Sequence, residues 1–516
     1  MKRHVIFILA ALLSFSQHIS FAHEGHFHED RHHDHVKKYT CIVGNSMTSS
    51  VVKAIKAIWQ EYPFIKDRVT FEIISKTDLD SGFNPKEIVD SDLILFDVHG
   101  IRMSTPAQTG FDSEILKGVI DKGATVLAVG ETAGLDSQYA AIGITYDKEI
   151  RSYLRYANTE NFKNMILLSL KKYLQFSESK ANPPQEGLKT AYYHYQQEGR
   201  LFKTFEEYKN WYQEAGYFKE NAAWVAVLTY SSFYEQGQAS VEDELIRTIE
   251  GKGLNAFVAF GYPEDAVVEK LLVDSKGVPR VAGILSFLFR FSDFKASAAL
   301  EKCGVPVINL ITVYGKDGKA WENDPEGLSS LEISWQLAIP EIAGLIQPTV
   351  VSYRIREKDD ETGFFIEQRK PIPERINRAV NRIKAWINLQ RKNNSDKKVA
   401  IFYWNYPPGK QHIGASYLNV FASIENVLKK MKEAGYDVGN GNIDREVLLD
   451  NSLKYGRNIG NWAPGELDEM VSNGKCVLVP LEDYQKWIRN LPADFMKDVN
   501  KDWRPVEESN VMMWTD

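Results

Sequence analysis

Cysteine is scarce: in 516 residues only Cys41, Cys303 and Cys476 occur, far apart and odd in number. This excludes a disulfide framework, and without a CxxC pair neither thiolate zinc sites nor thioredoxin-like exchange is supported. Long apolar runs are also missing. Beyond the N-terminus nothing approaches the roughly 18 uninterrupted apolar residues of a membrane helix, so the remainder is expected to be soluble. A net charge of −7 and a pI near 6.0 leave no global basic field for nucleic-acid binding. No GxxxxGK[ST] loop or GxGxxG turn occurs, which argues against an ATP site or a dinucleotide site in this chain. No GxSxG elbow occurs either, which argues against the commonest exported α/β hydrolases. Histidine is rare past residue 35, where only His99, His194 and His412 remain.

The N-terminus reads as a secretory signal over residues 1–22. Lys2 and Arg3 form a basic start, Val5 to Phe15 is an apolar run of 11 residues, and Ser20-Phe21-Ala22 offers a cleavage site. A retained anchor is the alternative. Cleavage after Ala22 leaves a His-rich flexible tail, residues 23–36, with His23, His26, His28, His32, His33 and His35 interspersed with acids. Neutral imidazoles suit zinc, copper, nickel, cobalt or ferrous iron, so these six are the candidate ligands for a divalent metal ion. A pH-sensing tail and an incidental metal-sticky tail remain open alternatives.

From Tyr39 onward strands and helices alternate, which predicts an α/β fold of several doubly wound parallel-sheet domains. The first spans 37–150. It has strands at Tyr39–Gly44, Val69–Ile74, Asp92–Val98 and Thr125–Val129, and a helix that Ser46 caps. Residues 151–220 form a helical, aromatic-rich connector. Residues 221–391 form a central α/β domain, with strands at Trp224–Tyr230, Ala256–Phe260, Val281–Phe287 and Val305–Thr312 and a helix over Ser240–Gly251. After a polar linker, residues 399–516 are expected to begin a further α/β domain, truncated here. Its first strand is Val399–Trp404, and an amphipathic helix through Met431 ends at Gly435.

Four segments in order carry a resemblance. Tyr192-Tyr193-His194 is followed by Phe205-Glu-Glu-Tyr-Lys-Asn-Trp-Tyr212. Trp321 to Ser352 reads WENDPEGLSSLEISWQLAIPEIAGLIQPTVVS. Asn405-Tyr-Pro-Pro-Gly-Lys-Gln-His-Ile-Gly414 precedes the amphipathic helix, and Asn458 to Asp468 reads NIGNWAPGELD. The set resembles the large subunits of cobaltochelatase (CobN) and magnesium chelatase, and with the signal it suggests an exported haem-dechelatase-like (HmuS-like) member. The resemblance implies a tetrapyrrole, haem or porphyrin, and a metal as substrates, with ATP used only by separate AAA+ subunits. The chain departs from the family after the central strand. Where the family carries Arg-Ser-His, Ser231, Ser232 and Phe233 stand here.

A chelatase needs bases and transient ligands near four ring nitrogens, and apolar walls for the ring faces. His412, His99 and Glu131 are the candidate catalytic groups. His412 lies in a turn before a helix, His99 at a strand end where open sheets bind ligands, and Glu131 just past another strand. His194, Tyr193 and Arg290 are the candidate tetrapyrrole contacts, Arg290 in place of the missing basic pair. Each has a plain structural alternative: a strand-end or core histidine, a helix-start carboxylate, a surface ion pair. Export separates the chain from cytoplasmic ATP. The expectation is therefore a periplasmic or cell-envelope protein that removes iron from haem and works with membrane haem-transport components. A cobalt-inserting subunit with AAA+ partners and a non-enzymatic haem carrier are the alternatives, and no nucleic-acid partner is expected. Deleting His23 to His35 is expected to abolish most zinc, nickel or cobalt binding, read by equilibrium dialysis, with an unchanged far-UV spectrum. Unaltered metal stoichiometry would leave the tail without this role.

Overall fold

In the computed structural model the described residues are 36–508, less 83, 98–112, 131–135, 188–189, 198–199, 262–263, 289–293, 404–412, 414–416, 456–464 and 475–477. The signal, the tail histidines, His99, Glu131, Arg290 and His412 all lie outside them. Two compact units divide the chain, Met1–Val380 and Asn381–Asp516.

The first unit opens with four parallel strands in the order β2-β1-β3-β4. They are β1 (Lys37–Val43), β2 (Val69–Ser75), β3 (Leu93–Asp97) and β4 (Thr125–Val129). Period-two alternation sends Tyr39, Cys41, Val43, Leu93, Leu95, Leu127 and Val129 to one face and Ile42, Ile94, Phe96, Val126 and Ala128 to the other. Helices cover both faces, so both sets are apolar, as a buried parallel sheet requires. Helix α1 (Thr48–Glu61) places Val51, Ile55 and Ile58 on the first face, and α2 (Ser113–Ile120) places Leu116 and Val119 on the second. The start of α1 differs from expectation: a short 3-10 turn, Asn45–Met47, precedes it, and Ser46 makes no capping bond.

Residues 151–220 are not a separate connector. Helix α3 (Thr159–Tyr173) adds Phe162, Met165, Ile166 and Leu170 to the first core and packs on α1. The rest of the stretch joins the second sheet, whose order is β11-β10-β9-β8-β6-β7-β5. Its parallel strands are β6 (Trp224–Thr229), β7 (Asn255–Gly261), β8 (Gly283–Ser286), β9 (Val307–Val313) and β10 (Ile346–Lys358). Antiparallel strands β5 (Thr190–Tyr193) and β11 (Phe365–Pro371) close its two edges.

On the β5 side, α4 (Phe205–Glu214) is fixed by a capping box between Thr204 and Glu207. It lays Tyr208, Trp211 and Tyr212 against Tyr192, Phe202 and Phe257. Every buried phenol here has a partner. The Tyr192 hydroxyl donates to the Leu271 carbonyl at 2.7 Å, Tyr208 to the Ala256 carbonyl at 2.8 Å, and Tyr212 to Glu250 at 2.8 Å. The two parts of the first chelatase-like segment thus meet as one packed aromatic layer.

The second unit, taken alone, is helical among its described residues. Its helices include Val420–Glu433, which Asn419 caps and Gly435 (φ +83°) follows, and Arg445–Tyr455. The expected strand at 399–404 is not formed over 399–403, and Trp404 lies outside the described residues. A strand needs a neighbour to pair its backbone, and Val399, Ile401 and Phe402 are instead exposed. Tyr417, Leu478, Trp487 and Trp503 are exposed as well. No helix among the described residues is long and apolar enough to cross a membrane.

Packing and hydrogen bonding in the aromatic layer are separable by mutation. Phe257→Ala is expected to cost about 3–5 kcal/mol, the range for emptying a buried aromatic site, whereas Tyr208→Phe loses one neutral hydrogen bond and about 1 kcal/mol. Urea unfolding of the two variants checks the order, and equal losses would contradict it.

Candidate functional site

In an open parallel sheet, ligands bind beyond the strand C-termini where the strand order reverses. The chain leaves β6 for β7 on one side and returns to β8 on the other, so in the second sheet that point lies between Thr229 and Ser286. Three turns converge there. After β6 comes α5 (Ser231–Glu235); after β8 come Phe287 and Leu288; after β9 comes Tyr314. The Ser286 hydroxyl accepts from the Leu288 N–H at 3.1 Å and turns the chain away from the sheet.

The floor of this crevice is charged. Arg354 on β10 stands directly opposite Arg369 on β11, and both are buried. Cross-strand like charges repel, and a buried cation is tolerated only when paired. Arg369 is paired: its Nη1 donates to both carboxylate oxygens of Glu242 at 2.7 Å. Glu242 sits in the first turn of α6 (Ser240–Gly251) and also accepts from Thr229 Oγ1 at 2.7 Å. Phe233 and Phe287 flank the Arg369 guanidinium, each ring centre 4.1 Å away. Arg354 lies 5.7 Å from the Phe233 ring and 5.2 Å from that of Tyr314. Glu367 is 4.0 Å from Arg354; burial raises its carboxyl pKa, against the pull of Arg354 and Arg356.

The 321–345 part of the chelatase-like signature supports this floor. Gln336 sits in a π-helical turn, Ile333–Ala338, and clasps Thr312 of β9: its Nε2 donates to the Thr312 carbonyl at 2.9 Å and its Oε1 accepts from the Thr312 N–H at 3.1 Å. Glu332 accepts from the Tyr314 N–H at 2.8 Å. The signature therefore fixes the end of β9.

The first domain reaches the same hairpin. Thr48 Oγ1 accepts from the Glu367 N–H at 2.9 Å, Gln238 donates to the Ser46 carbonyl at 3.3 Å, Lys56 pairs with Asp359 at 2.6 Å, and Arg356 pairs with Asp78. Near this junction Gly237 has φ +64°, a left-handed backbone conformation that favours glycine. Glu235, two residues earlier, is partly buried, and burial raises its pKa against a hydrogen bond from Ser231. A groove of about 740 Å³ opens at the opposite edge of the first sheet. Its charges already satisfy one another, with Lys38 on Glu72 and Asp90 at 2.7 Å and Lys37 on Asp92 at 3.0 Å. We regard the strand C-terminal crevice as the site.

The sequence-predicted residues fare unevenly. His194 is fully buried in the aromatic layer, stacked on Tyr195 at 4.7 Å, so it is a core histidine and lies on no cleft rim. Its Nε2 meets Glu250 at 3.1 Å and its Nδ1 accepts from the Gln196 N–H at 3.2 Å, which leaves no ring nitrogen for iron. Tyr193 donates to Asp243 at 2.6 Å and packs on Tyr234 at 5.0 Å. His99, Glu131, Arg290, His412 and the tail histidines lie outside the described residues. Among the described residues no three His, Cys, Asp or Glu side chains converge to hold a metal. Arg354, Arg369, Glu242 and Glu235 were not anticipated. The alternation Ser352-Arg354-Arg356 opposite Glu367-Arg369 was the available signal, a polar face on strands otherwise built for burial.

Known proteins bear on the same segments. The CobN/magnesium chelatase family model matches residues 151–516. Magnesium-chelatase subunit ChlH of Oryza sativa is 29% identical over 310 residues, 57% of this chain and 22% of that protein. Aerobic cobaltochelatase subunit CobN of Sinorhizobium is 25% identical over 292 residues, 54% of this chain and 22% of that protein. In fold, the chain is similar to the catalytic subunit of cobaltochelatase from Mycobacterium tuberculosis, with a TM-score of 0.55 at 16% identity, covering 91% of this chain and 36% of the other. The chain thus spans roughly a third or less of the length of these relatives. On the match across residues 151–516, it belongs to the CobN/magnesium chelatase family.

Proposed function

We propose that the chain is an exported tetrapyrrole-binding protein of the chelatase type, and that its favoured reaction is removal of iron from haem. The observation that carries the reading is the union of family membership with an aromatic-walled crevice at the strand C-termini, where an α/β sheet places its ligand. Export rests on the N-terminal signal pattern and explains the direction, since ATP-driven insertion with AAA+ partners belongs to the cytoplasm. Taking ferrous iron out of haem replaces one dication with two protons on the ring nitrogens. The site must therefore supply acid, and a carboxyl whose pKa lies above its ordinary range is suited to that. Glu235, at the end of the α5 turn that follows β6, carries such a carboxyl. His99 and His412, outside the described residues, are each proposed as a catalytic group, whereas His194 has both nitrogens engaged. The tail histidines would take up the released metal, and membrane haem-transport components would deliver the haem. The similarity to CobN of Sinorhizobium favours cobalt insertion with AAA+ partners as the second reading.

Protein recovered from the cell envelope is expected to begin at or near His23 by mass analysis; recovery only of cytosolic chains starting at Met1 would remove the case for export. Haem titrated to tens of micromolar, the order of magnitude for a weak site, is expected to shift its Soret band, and ferrous iron is then expected to appear in a ferrozine assay under reducing conditions. Glu235 is protonated below its raised pKa, so release should be fast at acid pH and fall as pH rises through that value. Glu235→Gln should slow release about a hundredfold, the lower range for a lost general acid, and flatten the profile with haem affinity retained. No spectral change with haem, porphyrin or corrin would defeat the tetrapyrrole reading. Binding without iron release would make the protein a carrier.

A further inference from the structure

The buried guanidinium donors at the crevice are not all met. On the shared face of β10 and β11, Arg356 is matched by Asp78 and Arg369 by Glu242. Arg354 has only Glu367, at 4.0 Å and beyond hydrogen-bond reach, and Glu367 is also drawn on by Arg356 and Thr77. Two guanidinium donors, Arg354 Nε and Arg369 Nη2, are buried and find no acceptor among the described residues. An unmet buried donor is costly, more so when charged, and an acceptor brought by a ligand would meet both. A carboxylate supplies two oxygens in the planar geometry that guanidinium groups match. Phe233 and Phe287 are buried with their rings against Arg369, and the half-buried Tyr314 beside Arg354 offers an aromatic surface to the apolar body of the same ligand.

We propose that Arg354 and Arg369 form the anchor for a carboxylate arm of a planar aromatic ligand, the arm lying across β10 and β11 and the ring against Tyr314. This inference rests on the tetrapyrrole reading and specifies which end of the ligand the site holds. Arg369 is already committed to Glu242, so it fixes the position of the anchor, and Arg354 is the member whose charge the ligand completes.

The experiment compares mesoporphyrin IX with its dimethyl ester, titrated into the full chain and followed by Soret absorbance. The wild-type chain is expected to bind the free acid at least tenfold more tightly than the ester. Arg354→Gln should remove that preference by weakening the acid about tenfold with the ester unchanged, and Arg354→Lys should retain part of it. Far-UV dichroism and the urea midpoint show whether each variant is folded. If Arg354→Gln does not fold, the wild-type preference decides: equal binding of acid and ester overturns the anchor. A folded Arg354→Gln that binds both forms as wild type does, or weakens both equally, overturns it too, and the tetrapyrrole reading then stands. Binding of neither porphyrin defeats that reading and the anchor with it.

Discussion

The second sheet depends on one buried ion pair, Arg369 with Glu242. It joins the outermost strand, β11, to the helix that follows β6, across the width of β8, β9 and β10. Desolvating the two charges costs several kcal/mol each, recovered only when geometry is good and the remaining donors and acceptors are met. Thr229 and the twin contacts to Nη1 meet most of that demand, and the Phe233 and Phe287 rings add face contacts to the cation. Around this pair the crevice is assembled from side chains that cannot move independently. Thr312, which bonds Ser352 at 2.8 Å and is clasped by Gln336, carries the constraint into β9 and the chelatase-like signature.

Much of the architecture was legible from periodicity. The eight predicted strands of the first two domains all occur, and helix α6 occupies Ser240–Gly251 as expected. These segments announce themselves because strands buried on both faces are continuous apolar runs. The β10–β11 hairpin was not anticipated, because its inward face carries Ser352, Arg354, Arg356, Glu367 and Arg369, and a charged face reads as solvent-facing in a sequence. Strand β5 was hidden for another reason: Thr190–Tyr193 is short, and its antiparallel place beside β7 follows from long-range pairing that no local pattern encodes. The expected strand at 399–404 shows the reverse error, an apolar run read as a strand where no partner strand stands beside 399–403.

The site was less legible than the fold for the same reason. His194 drew attention as one of few histidines in an aromatic run, yet the density of rings around it reports packing, and Glu250 and Gln196 account for both its nitrogens. Arg354 and Arg369 lie 15 positions apart and become a unit only through the antiparallel register. The strand order alone locates the crevice, and Ser231, Ser232 and Phe233 bring no charge to it, so its polar groups come from α6 and the hairpin.

The hairpin that carries the arginine pair is also the surface on which the first domain rests. The Glu367 N–H reaches Thr48 at the start of α1, and Lys56 on the same helix reaches Asp359 at the hairpin turn. One face of a two-stranded ribbon thus reports to the crevice while its backbone and its tip report to a neighbouring domain. The same two strands therefore carry contacts to both α/β domains, through Arg369 and Glu242 on one side and Glu367 and Asp359 on the other.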